Sequence, residues 1–134
     1  MAREYNVNEG NQIGYVPAEF GTDLSLQQKK IVAGADVTKG QVVVISGDME
    51  VSPSAGASDA VIGVAMFDAK AGEPVAVETE GLFKLTAGST ITAGDKVASA
   101  ADGKVAKLGS GGTKIGVALS SATSDEDAYV KFSI

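Results

Sequence analysis

The chain has 134 residues, carries a formal net charge of −6 at pH 7 and contains neither histidine nor cysteine. Its length fits one domain, and the missing residue types exclude disulfides, thiolate metal sites and a Ser-His-Asp triad. An acidic balance without a basic block argues against nucleic acid, and the lack of a long apolar run argues against a signal peptide or membrane span, so we expect a soluble protein that acts where it is made.

Residues 1–28 differ in composition from the rest of the chain. They are polar and rich in Asn, Gln and Glu, with scattered apolar residues that follow no sustained period. We interpret them as an extended arm whose apolar side chains dock on a neighbouring surface, and an edge strand followed by a loop is the alternative. The candidate contact residues are Tyr5, Tyr15, Phe20 and Leu24.

Residues 29–134 are predicted to form one all-β domain. Aromatic residues are only 5% of the chain, so the core must be mainly aliphatic, and β-branched runs between Gly, Ser, Asp and Pro favour strands. Helix signals are weak, because the one candidate stretch, 66–71, is bounded by Gly72 and Pro74. Strands are expected at 31–34, 41–45, 60–66, 74–79, 81–86, 96–99, 104–108, 114–119 and 128–134.

Two of these strands carry specific packing expectations. The continuous apolar run at 41–45 predicts a strand that is buried on both faces. Alternation in the strand at 60–66 places Ile62, Val64 and Met66 on one face and Gly63 and Ala65 on the other. The small face is expected either to meet another backbone closely or to lie bare.

The domain contains an internal repeat, with approximate units 35–80 and 89–134. Segment 37–42 parallels 91–97, and 62–66 parallels 115–119; in each unit a turn glycine precedes a strand, a variable hairpin follows, and an Ile-Gly-Val-Ala strand comes next. Two copies are too few for a solenoid. We predict two similar β units that pack through their Gly/Ala faces into a compact barrel-like or clip-like body.

The clusters that could carry chemistry are better explained as surface features. Segment 109–114 is glycine-rich, but it leads into a strand where a phosphate-binding loop needs a helix. Asp125, Glu126 and Asp127 match no calcium loop, so we expect a solvated turn, with an adventitious cation as the alternative. Glu78 and Glu80 are interpreted as surface charges, and no serine and lysine stand at a recognisable catalytic spacing. The sequence predicts no enzyme activity, no cofactor and no metal.

Taken in order, these segments resemble a family of tailed-phage structural proteins. The match covers about 29–134, and the ordered succession of its motifs is more specific than any one motif. Members are often labelled RecA/RadA recombinase, but they are similar to capsid decoration, or cement, proteins, and this chain lacks the phosphate-binding loop of a recombinase. The residues that carry the resemblance are 40–45, 62–65, 71–77, 80–85, 91–97, 102–105 and 115–118.

The resemblance implies a homotrimeric knob on the capsid exterior. It implies binding to the major capsid protein after head expansion and bridging of its subunits, in a virion protein made in the host cytoplasm. No site residue comes with the family, and residues 1–28 exceed the short leader associated with it. The alternatives are another virion-surface β module, such as a head fibre or a tail component, and a small enzyme or recombinase accessory. Few aromatic residues argue against a glycan-stacking platform on such a module.

Overall fold

The computed structural model describes residues 30–134, which form two halves of five strands each. No helix is present in this part of the chain, and therefore none that is long and apolar enough to cross a membrane. The N-terminal half contains β1 (Val32–Ala33), β2 (Val42–Gly47), β3 (Glu50–Pro53), β4 (Val61–Ala65) and β5 (Val77–Glu78). The C-terminal half contains β6 (Glu80–Thr86), β7 (Lys96–Ser99), β8 (Val105–Lys107), β9 (Gly116–Ala118) and β10 (Asp127–Ser133).

Each half is one curled sheet. The strand orders are β1-β3-β2-β4-β5 and β6-β10-β9-β7-β8. In the first sheet Val32 of β1 bridges Pro74, which lies just before β5, and in the second Ala87, just after β6, bridges Val105 of β8. These bridges bring the two edges of each sheet together. The predicted all-β fold, with a compact barrel-like body of two similar halves, is confirmed.

The sequence repeat corresponds to matched hydrogen bonds. The backbone N–H of Gly40 donates to the carbonyl of Ala65 at 2.8 Å, and that of Gly94 donates to the carbonyl of Ala118 at 2.8 Å. Both glycines have positive φ, 90° and 94°, which a residue without a Cβ adopts at little cost. The same equivalence relates the bridges Val37–Ala69 and Ile91–Ala122.

The cores of the two halves are also equivalent, position by position. The N-terminal core consists of Ile31, Ala33, Val37, Val43, Val51, Ile62, Ala65, Ala69, Val75 and Val77. Counterparts 54 or 53 residues later all belong to the C-terminal core: Leu85, Ala87, Ile91, Val97, Val105, Ile115, Ala118, Ala122, Ala128 and Val130. The repeated sequence therefore builds the same small barrel twice.

The halves join asymmetrically. Three valines of the N-terminal half, Val42, Val61 and Val64, belong to the C-terminal core, together with Phe132 of β10. Phe132 is fully buried and meets Phe83 edge-to-face, with ring centroids 6.0 Å apart. Thus the outer face of the first sheet closes the core of the second half.

Polar contacts complete the junction between the halves. The hydroxyl of Ser54 donates to the carbonyl of Ala100 at 2.6 Å. The hydroxyl of Ser99 donates to the carbonyl of Gly56 at 2.8 Å and accepts the backbone N–H of Ser58 at 3.0 Å. Both serine side chains are buried, so these bonds satisfy polar groups that water does not reach.

A bulge overturns the predicted facing of β4. Val43 pairs with Gly63 and Val44 pairs with Val61, so Ile62 is an extra residue on β4. The extra residue reverses the alternation. Val64 consequently faces the C-terminal core while Ile62 packs on the N-terminal core, and the prediction that they share one face is wrong. The predicted burial of 41–45 on both faces holds for Val42 and Val43 but is wrong for Ile45, which is 45% exposed.

The prediction that the halves pack through their Gly/Ala faces is also wrong. A Cβ at Gly63 would lie 2.3 Å from the carbonyl oxygen of Glu78, and a Cβ at Gly116 would lie 2.4 Å from that of Lys131. Both neighbours belong to the same half as the glycine. The expected close approach to a backbone is present, but it lies within each barrel. The apolar contact between the halves is made by the valines.

We expect Gly63→Ala and Gly116→Ala each to lower the free energy of unfolding by about 1–3 kcal/mol, because the new methyl group overlaps a backbone carbonyl. Gly56→Ala and Gly109→Ala are matched controls, since a Cβ there meets nothing within 4 Å. Denaturant unfolding followed by circular dichroism measures all four variants. Equal midpoints for the two pairs would contradict the close-approach argument.

Candidate binding surfaces

The four residues predicted to contact a partner, Tyr5, Tyr15, Phe20 and Leu24, lie outside the described residues and stay predictions. The described part contains surfaces of its own. These are the outer face of the second sheet, a cleft between the halves, and the turns that flank β10.

The outer face of the second sheet carries a mixed row of apolar and cationic side chains. The register places Lys131 of β10 beside Leu82 of β6 and beside Val117 of β9, and Val117 beside Lys96 of β7. Directly opposite residues share a face of the sheet. Leu82 is 70% exposed.

A second row continues this face along the same strands. Tyr129 pairs with Lys84, and Tyr129 is 57% exposed. At the far end Asp127 lies beside the Lys84 ammonium at 4.0 Å, with both side chains at least half exposed. We call the set Leu82, Lys84, Lys96, Val117, Tyr129 and Lys131 the lysine face. It combines exposed apolar area with three cations, which is the character of a docking surface rather than of a catalytic site.

Formal charge is divided unequally between the halves. Residues 31–79 contain seven Asp or Glu and two Lys, a net charge of −5, whereas residues 80–134 contain six of each sign, a net charge of zero. The lysine face therefore lies on the less acidic half. An acidic partner surface is attracted to it by complementary charge.

A cleft of about 570 Å³ lies between the halves. Gln41 forms part of its wall and donates from Nε2 to the carbonyl of Asp102 at 3.1 Å. Its charged lining residues are Lys39, Lys84, Lys104, Asp102 and Asp127. The mixed lining balances three cations against two anions. The Thr86 hydroxyl donates to Asp127 Oδ1 at 3.0 Å, a contact between directly opposite residues of β6 and β10.

Asp125 and Glu126 of the acidic cluster lie in the turn before β10, as predicted, and Asp127 is the first residue of β10. Lys104 Nζ donates to Asp125 Oδ1 at 2.7 Å, and this hydrogen bond, followed by the charge of Asp125, raises the pKa of Lys104. Glu126 Oε1 accepts the backbone N–H of Thr123 at 3.0 Å. Each carboxylate therefore has its own protein partner. Within residues 30–134, no three acidic side chains are grouped to hold a metal ion.

The other sequence candidates lie on the surface as expected. Segment 109–114 forms the exposed loop between β8 and β9, with Gly111 at φ 78°. Glu78 is exposed on β5, and the carboxylate of Glu80 accepts a hydrogen bond from the Ser133 hydroxyl at 3.2 Å. Neither feature forms a phosphate site or a carboxylate pair.

Sequence reasoning did not identify the lysine face. Alternation at 81–86 and 128–134 correctly predicts that Phe83 and Leu85 point inward, and the same alternation places Leu82, Lys84 and Tyr129 outward. The signal that indicates this face is an apolar residue at an outward position of β6, β9 and β10. Its continuity depends on the pairing of β6, β10, β9 and β7, which the sequence did not specify.

Comparison with known proteins identifies a family and a similar fold. A family model described as "Phage cement protein" matches residues 26–134. Among solved structures, the N base of the head fiber gp8.5 of bacteriophage phi29 is similar with a TM-score of 0.60 and 21% sequence identity, over 78% of this chain and 92% of that chain. At that identity the likeness concerns the fold alone. No curated protein matches the chain.

The turn at Glu126 predicts a pH-dependent contribution to stability. Hydrogen bonds from the backbone N–H and then the side chain of Thr123 lower the pKa of the Glu126 carboxyl below its usual value. A lowered folded-state pKa stabilises the fold above the unfolded pKa, about 4.3, and this contribution is lost as pH falls through the folded pKa.

Glu126→Gln keeps an acceptor oxygen but removes the charge. We expect wild type to melt above the variant at neutral pH and the difference to vanish in strong acid. Thermal melts across this pH range measure it. A difference that stays constant with pH would show that the charge of Glu126 contributes nothing.

Proposed function

Because the chain belongs to the phage cement protein family, we propose that it is a capsid decoration protein that binds the exterior of the expanded phage head. The observation that carries the proposal is the family match, which includes every strand of the described domain. In this role the protein is made in the host cytoplasm and joins the virion after the head expands.

Decoration stabilises a head by mass action. A protein that binds the expanded shell and not its disassembled subunits shifts the equilibrium toward the intact shell, by an amount set by its concentration relative to its dissociation constant. Bridging neighbouring subunits of the major capsid protein adds contacts that one subunit alone cannot provide. A homotrimer presents three binding elements at once, and simultaneous attachment raises the apparent affinity without new kinds of contact.

The chemistry of the described residues supports a binding role. The chain has no histidine or cysteine, the acidic residues near β10 are engaged in turn and ion-pair contacts, and the buried serines are used to join the halves. Exposed large apolar side chains include Phe67, Leu82, Leu119, Tyr129 and Ile134. Apolar area of this kind is typical of a protein that works by contact with another surface.

We propose that residues 1–28 carry a large share of capsid binding. Their composition changes near Lys29, and Tyr5, Tyr15, Phe20 and Leu24 have no counterparts in the repeat. An arm that orders on binding loses conformational entropy at that moment but can follow a wide, shallow surface such as the join between capsid subunits.

A second candidate function is the base of a head fibre. The likeness to the head-fiber base of phi29 favours this reading at the level of the fold. In such a protein the same β body would attach to the head and support a further fibre. Purified virions separate the two readings, because a knob that ends at the β body and a long projecting fibre differ in electron micrographs.

The direct test is co-sedimentation with shells of the phage that encodes the protein. We expect the purified protein to pellet with expanded shells that lack it and to stay in the supernatant with unexpanded shells. Binding to neither kind of shell, together with density on the tail of complete virions, would overturn decoration.

The arm is tested in the same assay. Replacing Tyr5, Tyr15, Phe20 and Leu24 by serine in the full chain should weaken binding to expanded shells at least about tenfold, which is about 1.4 kcal/mol. Deleting residues 1–28 should have the same effect while the β-type circular dichroism and the oligomeric mass are retained.

A matched control replaces four polar residues of the arm, Asn6, Asn8, Gln12 and Glu19, by serine. This control should bind like wild type. If the apolar variant also binds normally, the arm is dispensable and the attachment surface lies on the β domain. If the truncated chain cannot fold, the arm is part of the barrel.

A further inference from the structure

Part of the lysine face has a buried counterpart in the other half of the same chain. In the repeat, Lys96 and Val117 of the C-terminal half correspond to Val42 and Val64 of the N-terminal half, and both pairs are directly opposite across equivalent strands. Val42 and Val64 are 0% and 1% exposed because the C-terminal half covers them. Lys96, in contrast, is exposed, and Val117 is partly exposed. The fold thus already uses this face of one barrel to bind another barrel of the same kind.

The N-terminal half has its own equivalent of the surface that the valines join, and the C-terminal half does not cover it. In the C-terminal half the core that the valines join includes Leu85, Ile115, Val130 and Phe132, all 0% exposed. We call their counterparts in the N-terminal half the open edge. It consists of Ile31, Ile62 and Val77, which are partly buried, and Thr79, which is exposed.

A recess marks the open edge on the surface. Ile62 and Thr79 line it together with Glu80 and Ile134, and its volume is about 390 Å³. The half that carries the open edge has a net charge of −5. The exposed Glu78 precedes Thr79 in the chain, and Glu80 follows it and lines the recess. These carboxylates at the open edge are complementary to the three lysines of the lysine face.

We propose that the lysine face of one copy docks on the open edge of the acidic N-terminal half of a second copy, and so repeats between chains the contact that joins the halves within each chain. The inference rests on the self-association included in the proposed function and assigns surfaces to it. Because the two surfaces differ, the contact is heterologous, and a heterologous contact closes into a ring when its rotation divides a full turn.

The two versions of the contact differ in chemistry. Within the chain, Val42, Val61 and Val64 make an apolar contact that is permanently buried. Between chains the corresponding residues are Lys96, Lys114 and Val117, so charge replaces much of the apolar area. Lysine stems still cover apolar surface while their ammonium groups reach acidic neighbours. Such an interface is more sensitive to salt than the junction between the halves.

The test measures the mass of the free full-length protein by light scattering at micromolar concentration, without any shell. We expect a wild-type mass of at least twice the 13.4 kDa of one chain. Lys96→Glu combined with Lys131→Glu should raise the dissociation constant at least about tenfold. The control Lys39→Glu with Lys70→Glu makes the same change in net charge on exposed positions of the N-terminal half and should leave association intact.

The open edge is tested by Thr79→Lys, which places a cation opposite the lysines. Alone it should weaken association, and mixing it with the Lys96→Glu, Lys131→Glu chain should restore mixed assemblies, because a lysine then meets glutamates. Circular dichroism melts show whether each variant is folded. An unfolded Thr79→Lys variant is replaced by Thr79→Arg, and an unfolded glutamate variant by Lys96→Gln with Lys131→Gln. Each replacement should weaken association alone, and rescue on mixing is expected only where the glutamate variant is used.

A monomeric wild-type chain would overturn the inference, and co-sedimentation with shells then decides the proposed function separately. Unchanged association of the folded lysine-face variant would also overturn it. If that variant stays oligomeric but no longer binds expanded shells, the lysine face belongs to the capsid contact, and decoration stands while the docking inference fails.

Discussion

The contact on which the described structure depends is the insertion of Val42, Val61 and Val64 into the core of the C-terminal half. Burying a valine side chain stabilises a fold by about 1.5–3 kcal/mol. Three of them amount to a large part of the 5–15 kcal/mol that stabilises a typical domain. Each small barrel has its own core, and the three valines enlarge the C-terminal one. The direction of this contact decides which face of each barrel remains exposed.

The repeat makes this asymmetry visible. The two halves have the same ten core positions and the same turn hydrogen bonds, yet one presents valines on its outer face and the other presents lysines. Charge and apolar area are therefore distributed by half. The chain contains two copies of each contact surface but makes only one contact between them. One copy of each surface therefore stays uncovered, and these are the lysine face and the open edge.

Much of the fold could be predicted from the sequence, because its signals are local. Turn glycines at Gly40 and Gly94, the Ile-Gly-Val-Ala strands and the inward Phe83 and Leu85 depend on residues near one another in the chain. The facing of β4 could not be predicted, because the extra residue Ile62 is defined by pairing with β2. The sequence predicts a hairpin between the strands at 41–45 and 60–66 but does not delimit strand β3. Pro53 and the charged residues around Met49 give a weak strand signal there. The four contact residues of the arm lie outside the described part of the chain.

The proposed function depends on the surfaces of the protein. Family membership makes the protein part of the phage virion, and the proposal is that its β body sits on the outside of the head. Electron cryomicroscopy of purified virions tests this most directly. Decoration of the head predicts density for the β body on the outer surface of the expanded head, in contact with more than one subunit of the major capsid protein. Density confined to the tail, or a head surface without this body, would contradict it.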